Sequence, residues 1–215
     1  MAVMTTASTT EITTTTTRRA LCAACLRPQR TCICRWVRAL PNQVEVLVLQ
    51  HPMEVDNAKG SARLLHLSLA NSRLEVGETF EPARLQALLS PERHNVLLYP
   101  DTEDASLGLA KPQPFDQAWL QAPLRLVVLD GTWRKSRKML YLNPLLQTLP
   151  RLPLRDTPAS HYLIRKAHLP DQLSTLEATA YALAQLENDI NKFDPLIEAF
   201  DGFVAQQAGY AKKSI

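Results

Sequence analysis

Glycine is scarce. The 215 residues hold only six, and none sits in a G-x-G-x-x-G or G-x-x-x-x-G-K-[ST] arrangement. Both common cradles for nucleotide phosphates, the dinucleotide fingerprint and the Walker loop, are therefore missing. Long apolar runs are missing too. No stretch approaches the roughly 18 to 20 residues that span a bilayer. The opening "MAVMTTASTTEITTTTTRRA" has no apolar core of a secretory signal. These absences give the expectation of a cytoplasmic protein with no membrane partner. Acidic residues are absent between Glu11 and Glu45, an interval that holds Arg18, Arg19, Arg27, Arg30, Arg35 and Arg38. Cysteine is absent everywhere except in "CAACLRPQRTCIC".

What is present reads as one globular domain with an appendage. Hydrophobic residues make up 46% of the chain, enough for a core without disulfides. Residues 1 to about 17 are threonine-rich and of low complexity, and are expected to form a disordered tail. "VEVLVLQ" (44–50), "HNVLLYP" (94–100) and "LRLVVLD" (124–130) read as strands. Helices are expected over 57–70, 81–89, 132–142, 173–187 and 193–209, the last capped by Gly209. A proline-bearing loop region is expected after 142. Strands that are continuous apolar runs, separated by helices, imply an α/β fold with a mainly parallel sheet covered on both faces. Ligands in such folds sit beyond the carboxyl ends of the strands, here Gln50-His51, Tyr99-Pro100 and Asp130-Gly131.

The formal net charge of +3 is small, but the cations are grouped. Besides the arginines before Glu45, one cluster is Arg134, Lys135, Arg137 and Lys138, and another is Arg151, Arg155, Arg165 and Lys166. Such runs also occur as solvated surface. Three clusters in a nearly neutral chain favour a polyanionic partner, with nucleic acid the expected one. Cys22, Cys25, Cys32 and Cys34 form C-x2-C, six residues, then C-x-C. Thiolates this close can converge on one tetrahedral zinc without a long loop closure. A redox dithiol and four buried free cysteines are the alternatives. Four protein ligands would close the site, making the metal structural. Arg27, Arg30 and Arg35 would then stand on a rigid knuckle suited to phosphate contact.

"LVVLDGTWRKSRKML" (126–140) sets an apolar strand against a carboxylate and then a basic helix. Asp130 stands where a reacting group would be useful, yet Asp-Gly also ends many strands, and Asp130 could cap the helix itself. Trp133 is either packing or a flat wall for a ring. Arg134, Arg137 and Lys138 can share one helix face at i, i+3 and i+4. Ser174 and Glu177 form an S-x-x-E capping box, with Leu173 as its hydrophobic staple, at a helix start that also offers N–H groups to a ligand carboxylate. The five histidines have no metal spacing.

"CAACLRPQRTCIC", "HPMEVDNAKGSARLL", "YPDTEDA", "LDGTW" and "HYLIRKAHLPDQLSTLEA" occur in this order and together resemble the DTW-domain family. The resemblance covers Cys22 to about Ala184. It implies a SPOUT-like fold with a C-terminal trefoil knot and a division into a tail (1–20), a zinc knuckle (21–38) and a catalytic DTW domain (39–210). It also implies a bacterial-type tRNA-uridine aminocarboxypropyltransferase. Such an enzyme moves the 3-amino-3-carboxypropyl group of S-adenosylmethionine to N3 of a uridine, usually position 47 of the tRNA variable loop, and releases 5′-methylthioadenosine. An RNA methyltransferase and a non-enzymatic zinc-knuckle RNA-binding protein are the rival readings. For such a reaction uridine N3–H must lose its proton, so a carboxylate within hydrogen-bond reach is useful, and Asp130 is the expected catalytic residue, as a base or as an orienting group beside a helix N-terminus. For the cofactor the resemblance points to Pro100, Asp101 and Thr102, to Leu129, Gly131, Thr132 and Trp133, and to Ser174, Thr175 and Glu177. Arg134, Lys135, Arg137 and Lys138 would hold tRNA phosphates, with Lys166, while Tyr162 and Arg165 match a family pattern that could meet phosphate or the cofactor carboxylate. No obligate protein partner is implied.

Overall fold

The computed structural model describes residues 20–100, 113–154, 157, 158, 160 and 173–212. Five parallel strands form the sheet: β1 (Glu45–Gln50), β2 (Ser72–Val76), β3 (His94–Leu98), β4 (Leu124–Asp130) and β5 (Arg151–Leu152). Their spatial order is β2-β1-β4-β3-β5. The helices are α1 (Ala62–Ser68), α2 (Pro82–Leu88), α3 (Trp133–Leu142), α4 (Pro144–Gln147), α5 (Thr175–Leu186) and α6 (Asp194–Lys212).

Side chains alternate across each strand, so β1 and β4, buried throughout, feed two cores. Val46, Val48, Leu124, Leu126 and Val128 pack with α1, α5 and α6. Leu47, Leu49, Val127 and Leu129 pack with α2, α3 and α4. The result is three layers, as the expected α/β class requires. Each fully buried Leu or Val contributes about 1.5–3 kcal/mol of transfer free energy. Cys25 and Ile33 belong to the first core, so the cysteine segment is packed into the body of the protein. At the amino end of the sheet the buried Arg125 grips Glu45 at 3.1 and 3.2 Å and Asn95 at 3.1 Å, and Arg93 adds a contact to Glu45 at 2.9 Å. A buried carboxylate needs such partners.

Several expectations are corrected. The helix expected from Asn57 begins at Ala62, because Asn57–Gly60 closes a turn through Gly60 N–H to Asn57 O at 2.8 Å. The region after 142, expected to be a loop, contains α4 and β5. Strand β2 was not expected, and α6 runs through Gly209 to Lys212 instead of stopping there. Among the described residues no helix is long and apolar enough to cross a membrane. The threonine-rich tail and the segments on which a trefoil knot depends lie outside the described residues.

Candidate active site

Strand parity turns Gln50 and Asp130 toward the α5 face of the sheet, and the two are in register at adjacent strand ends. The Gln50 amide donates to Asp130 Oδ2 at 2.9 Å, and the Thr175 hydroxyl donates to Oδ1 at 2.7 Å. The His51 N–H donates to the Asp130 carbonyl at 2.9 Å. Thr175 is delivered by the expected capping box. Ser174 Oγ accepts the Glu177 N–H at 3.1 Å, and the Glu177 carboxylate accepts the Ser174 N–H at 2.7 Å. Asp130 is 5% exposed. Each of its carboxylate oxygens thus accepts a side-chain hydrogen bond. It does not cap α3, since Thr132 does so by accepting the Lys135 N–H. Gly131 allows the chain to turn directly into α3, because a Cβ there would lie 3.1 Å from that of Lys135.

A cavity of about 420 Å³ opens at the ends of β3, β4 and β5, between the starts of α3 and α5. Of the residues expected to bind the cofactor, Pro100, Leu129, Gly131, Trp133, Ser174 and Thr175 line it. Asp130 and Thr132 stand beside it rather than in its lining, and Glu177 is fully buried with its carboxylate on Ser174 and on the Ser160 hydroxyl at 2.9 Å. Asp101 and Thr102 lie outside the described residues. Tyr99, expected only as a strand end, lines the cavity, and so do Leu152, Leu154 and Thr157, which were missed. So was Arg151, which is 2% exposed and not part of a solvated cluster. Its guanidinium donates to the Pro100 carbonyl at 3.0 Å and lies 4.9 Å from the Tyr99 ring centroid. Tyr99 in turn meets Trp133 edge-on at 5.5 Å. One apolar cavity with aromatic walls and a few convergent polar groups can take a planar base with a charged arm.

On α3, Arg134, Arg137 and Lys138 are exposed, as the helical spacing implies. Lys135 is turned aside to Glu54 at 2.7 Å, and Lys138 meets Glu78 at 2.9 Å. Arg30 and Arg35 are exposed on the cysteine segment, Arg35 lying 4.6 Å over the Trp36 ring. Arg27 instead lies along the surface and donates to the backbone carbonyls of Ala58 and Gly60. Tyr162, Arg165 and Lys166 lie outside the described residues.

The four cysteine sulfurs lie within 4.8 Å of one another. Cys22 and Cys34 are 3.6 Å apart, and Cys25 and Cys32 are 3.7 Å apart. Four thiolates around a tetrahedral zinc at about 2.3 Å would stand about 3.8 Å apart, so donor set and spacing fit the ion. Backbone N–H groups of Cys25 and Ala24 lower the Cys22 thiol to about 6, whereas burial pushes Cys34 up to about 12. One sulfur is prepared as a thiolate, and a cation among the four would draw off the other protons.

An open parallel sheet with a ligand-sized cavity at its carboxyl rim and four clustered cysteines defines an α/β protein with a ligand crevice where such sheets commonly have one. The family model for the DTW domain matches residues 19–208, and the chain belongs to the DTW-domain family. It is 33% identical over 183 residues to tRNA-uridine aminocarboxypropyltransferase 2 of Drosophila melanogaster, covering 80% of this chain and 68% of that one. To the enzyme of that name in Macaca fascicularis it is 29% identical over 181 residues, with 80% and 58% covered. To tRNA-uridine aminocarboxypropyltransferase A of Arabidopsis thaliana it is 26% identical over 230 residues, with 91% and 83% covered. The chain thus spans 58% of the length of the macaque and mouse relatives. No solved structure matches it significantly.

Proposed function

We propose that this protein transfers the 3-amino-3-carboxypropyl group of S-adenosylmethionine to N3 of a uridine in tRNA, at position 47 of the variable loop, and releases 5′-methylthioadenosine. The observation that carries this reading is the rim cavity beside Asp130, in a family member whose relatives bear that enzyme name. Uridine N3 gives up its proton to solvent water and forms a bond to the γ-carbon of the donor arm. The C–S bond breaks, and the sulfonium becomes a neutral thioether. Of the three carbons on the sulfonium, the one facing the nucleophile at contact distance reacts. Choosing the aminocarboxypropyl arm over the methyl is therefore a matter of orientation.

In this reading Pro100, Asp101, Thr102, Leu129, Gly131, Thr132 and Trp133 surround the donor. The Ser174 cap, locked by Glu177, aims the free N–H groups of α5 at its carboxylate. Asp130 already holds Gln50 and Thr175. It orients these groups and sets a negative charge beside the reacting centre, rather than taking the N3 proton in full. Arg30, Arg35, Arg134, Arg137 and Lys138 contact tRNA phosphates, joined by Tyr162, Arg165 and Lys166. The four cysteines hold a structural zinc. The 39–210 region is a SPOUT-like knotted catalytic domain behind a knuckle (21–38) and a tail (1–20), acting in the cytoplasm.

Purified protein incubated with unmodified tRNA and labelled donor, followed by nucleoside mass analysis, tests the reaction. Aminocarboxypropyl-uridine is the expected product. A methylated nucleoside would convert the reading to a methyltransferase. Calorimetry that finds tRNA binding but no donor binding would leave only an RNA-binding module.

A further inference from the structure

The loop between β1 and α1 has no part in the proposed reaction, yet it is tied down more firmly than its exposure explains. Residues 55–59 are solvent-exposed and make no core contact. Ordering such a segment costs backbone entropy that burial does not offset. The ties come from the cysteine knuckle. Arg27 lies between Cys25 and Cys32, and its own carbonyl accepts the Cys22 N–H at 2.8 Å. Its guanidinium donates to Ala58 O at 2.7 Å, to Gly60 O at 2.8 Å and to Asn57 O at 3.5 Å. The same group rests 5.2 Å over the Phe203 ring of α6. A guanidinium fork can serve three carbonyls of one turn at once, which a lysine ammonium cannot do in a fixed geometry.

The contacts continue from the turn into the site. Asn57 Nδ2 donates to Glu54 Oε2 at 2.7 Å. The other oxygen of Glu54 holds Lys135 Nζ at 2.7 Å, in the first turn of α3. At its start the loop is fixed by His51 N–H to Asp130 O at 2.9 Å and by Glu54 N–H to His51 O at 2.8 Å. An unbroken series of bonds therefore runs from the metal-binding loop to both sides of the strand end that carries Asp130.

We infer that Arg27 and Glu54 are positioning residues for the aminocarboxypropyl transfer proposed above: through loop 54–60 they carry the fixed geometry of the cysteine knuckle to Lys135 and the first turn of α3. Arg27 thus serves the site through these contacts rather than by gripping a phosphate. The inference takes the reaction from the preceding reading, but the coupling itself stands on these contacts alone. The four cysteines fix Arg27, Arg27 fixes the turn at Asn57–Gly60, and Glu54 transmits that turn to α3.

The test combines Arg27→Ala, Arg27→Lys, Glu54→Gln and the Arg27→Ala/Glu54→Gln double variant in the full-length chain. Metal content, amide hydrogen exchange and transfer kinetics are measured for each. In both Arg27 variants the amides of Asn57, Lys59 and Gly60 are expected to exchange about tenfold faster while β1 and β4 stay protected and the metal is retained. The kcat/KM for tRNA should fall about tenfold, with affinity for 5′-methylthioadenosine held within about twofold, and the double variant should be no worse than the more severe single one. Unchanged exchange at 57–60 in either Arg27 variant would overturn the inference, as would losses that multiply in the double variant. Should Arg27→Ala loosen the whole protein, Arg27→Lys decides by the same criteria. A wild type that transfers nothing to tRNA would sink the proposed reaction and leave the exchange measurements to judge the coupling.

Discussion

Gln50 and Asp130 end adjacent strands in register and share a hydrogen bond of 2.9 Å. The connections of the sheet part company at this point. From β1 the chain goes through α1 to β2 on one side, and from β4 it goes through α3 and α4 to β5 on the other. Open α/β sheets leave a crevice at such a divergence. Here the Gln50–Asp130 bond bridges it, and the cavity is displaced toward β3 and β5. Asp130 therefore stands beside the cavity and is not part of its lining.

Replacing Asp130 by Asn keeps one acceptor oxygen and sets an NH2 donor against either the Gln50 amide or the Thr175 hydroxyl, which must flip or rotate to accept it. Nucleoside modification should drop at least about 100-fold. Metal content and circular dichroism should stay as in the wild type, with a stability loss of about 1–3 kcal/mol from the mismatched buried group. Normal modification by Asp130→Asn would remove this carboxylate from the mechanism.

The exposed cations of α3 are not equivalent. Arg134 is exposed, whereas Lys135 is committed to Glu54. If α3 lies along tRNA phosphates, log Kd should vary linearly with log salt, and Arg134→Gln should reduce the slope by about one. Lys135→Gln should leave the slope nearly unchanged. Binding that is insensitive to salt, or equal slopes for both variants and the wild type, would exclude this surface as the path of the RNA.

Glu78 joins the β2–α2 loop to α3 and β1 through Lys138 and His51. Lys138, and after it His51, hold its carboxyl below the ordinary glutamate range. A carboxyl lowered by folding contributes stability that is present above its unfolded value and is lost as the pH falls through the folded one. The wild type should therefore melt above Glu78→Gln at neutral pH, and the two curves should converge in acid. Melting curves that stay parallel down to pH 3 would show that these pairs do not stabilise the fold.

Much of this could be read from residue order because the signals were local. Strand β4 is one uninterrupted apolar run, α3 starts at a threonine cap and ends before Asn143-Pro144, and the four cysteines are close in sequence and in space. The features that escaped depend on neighbours far along the chain. "SRLEV" became β2 because β1 offers it an edge, although its side chains are only partly buried. Two residues make β5, too few for any pattern to show. Arg151 looked like surface charge, yet it is buried because Pro100 and Tyr99 receive its guanidinium. Gln50 was marked only as a strand end, and its bond to Asp130 exists only once β1 and β4 lie side by side. A glycine at 209 resembles a stop signal, but α6 continues past it.

The indole of Trp36 lies flat against Gly202 of α6, so closely that a Cβ there would fall 2.2 Å from the ring, and its N–H reaches Gln206, 170 positions along the chain. This part of the packing can form only after α6 has left the ribosome. Until then the cysteine segment leans on α1 and the turn before it, through Arg27 to Ala58 and Gly60 and through Leu40 to Ser68.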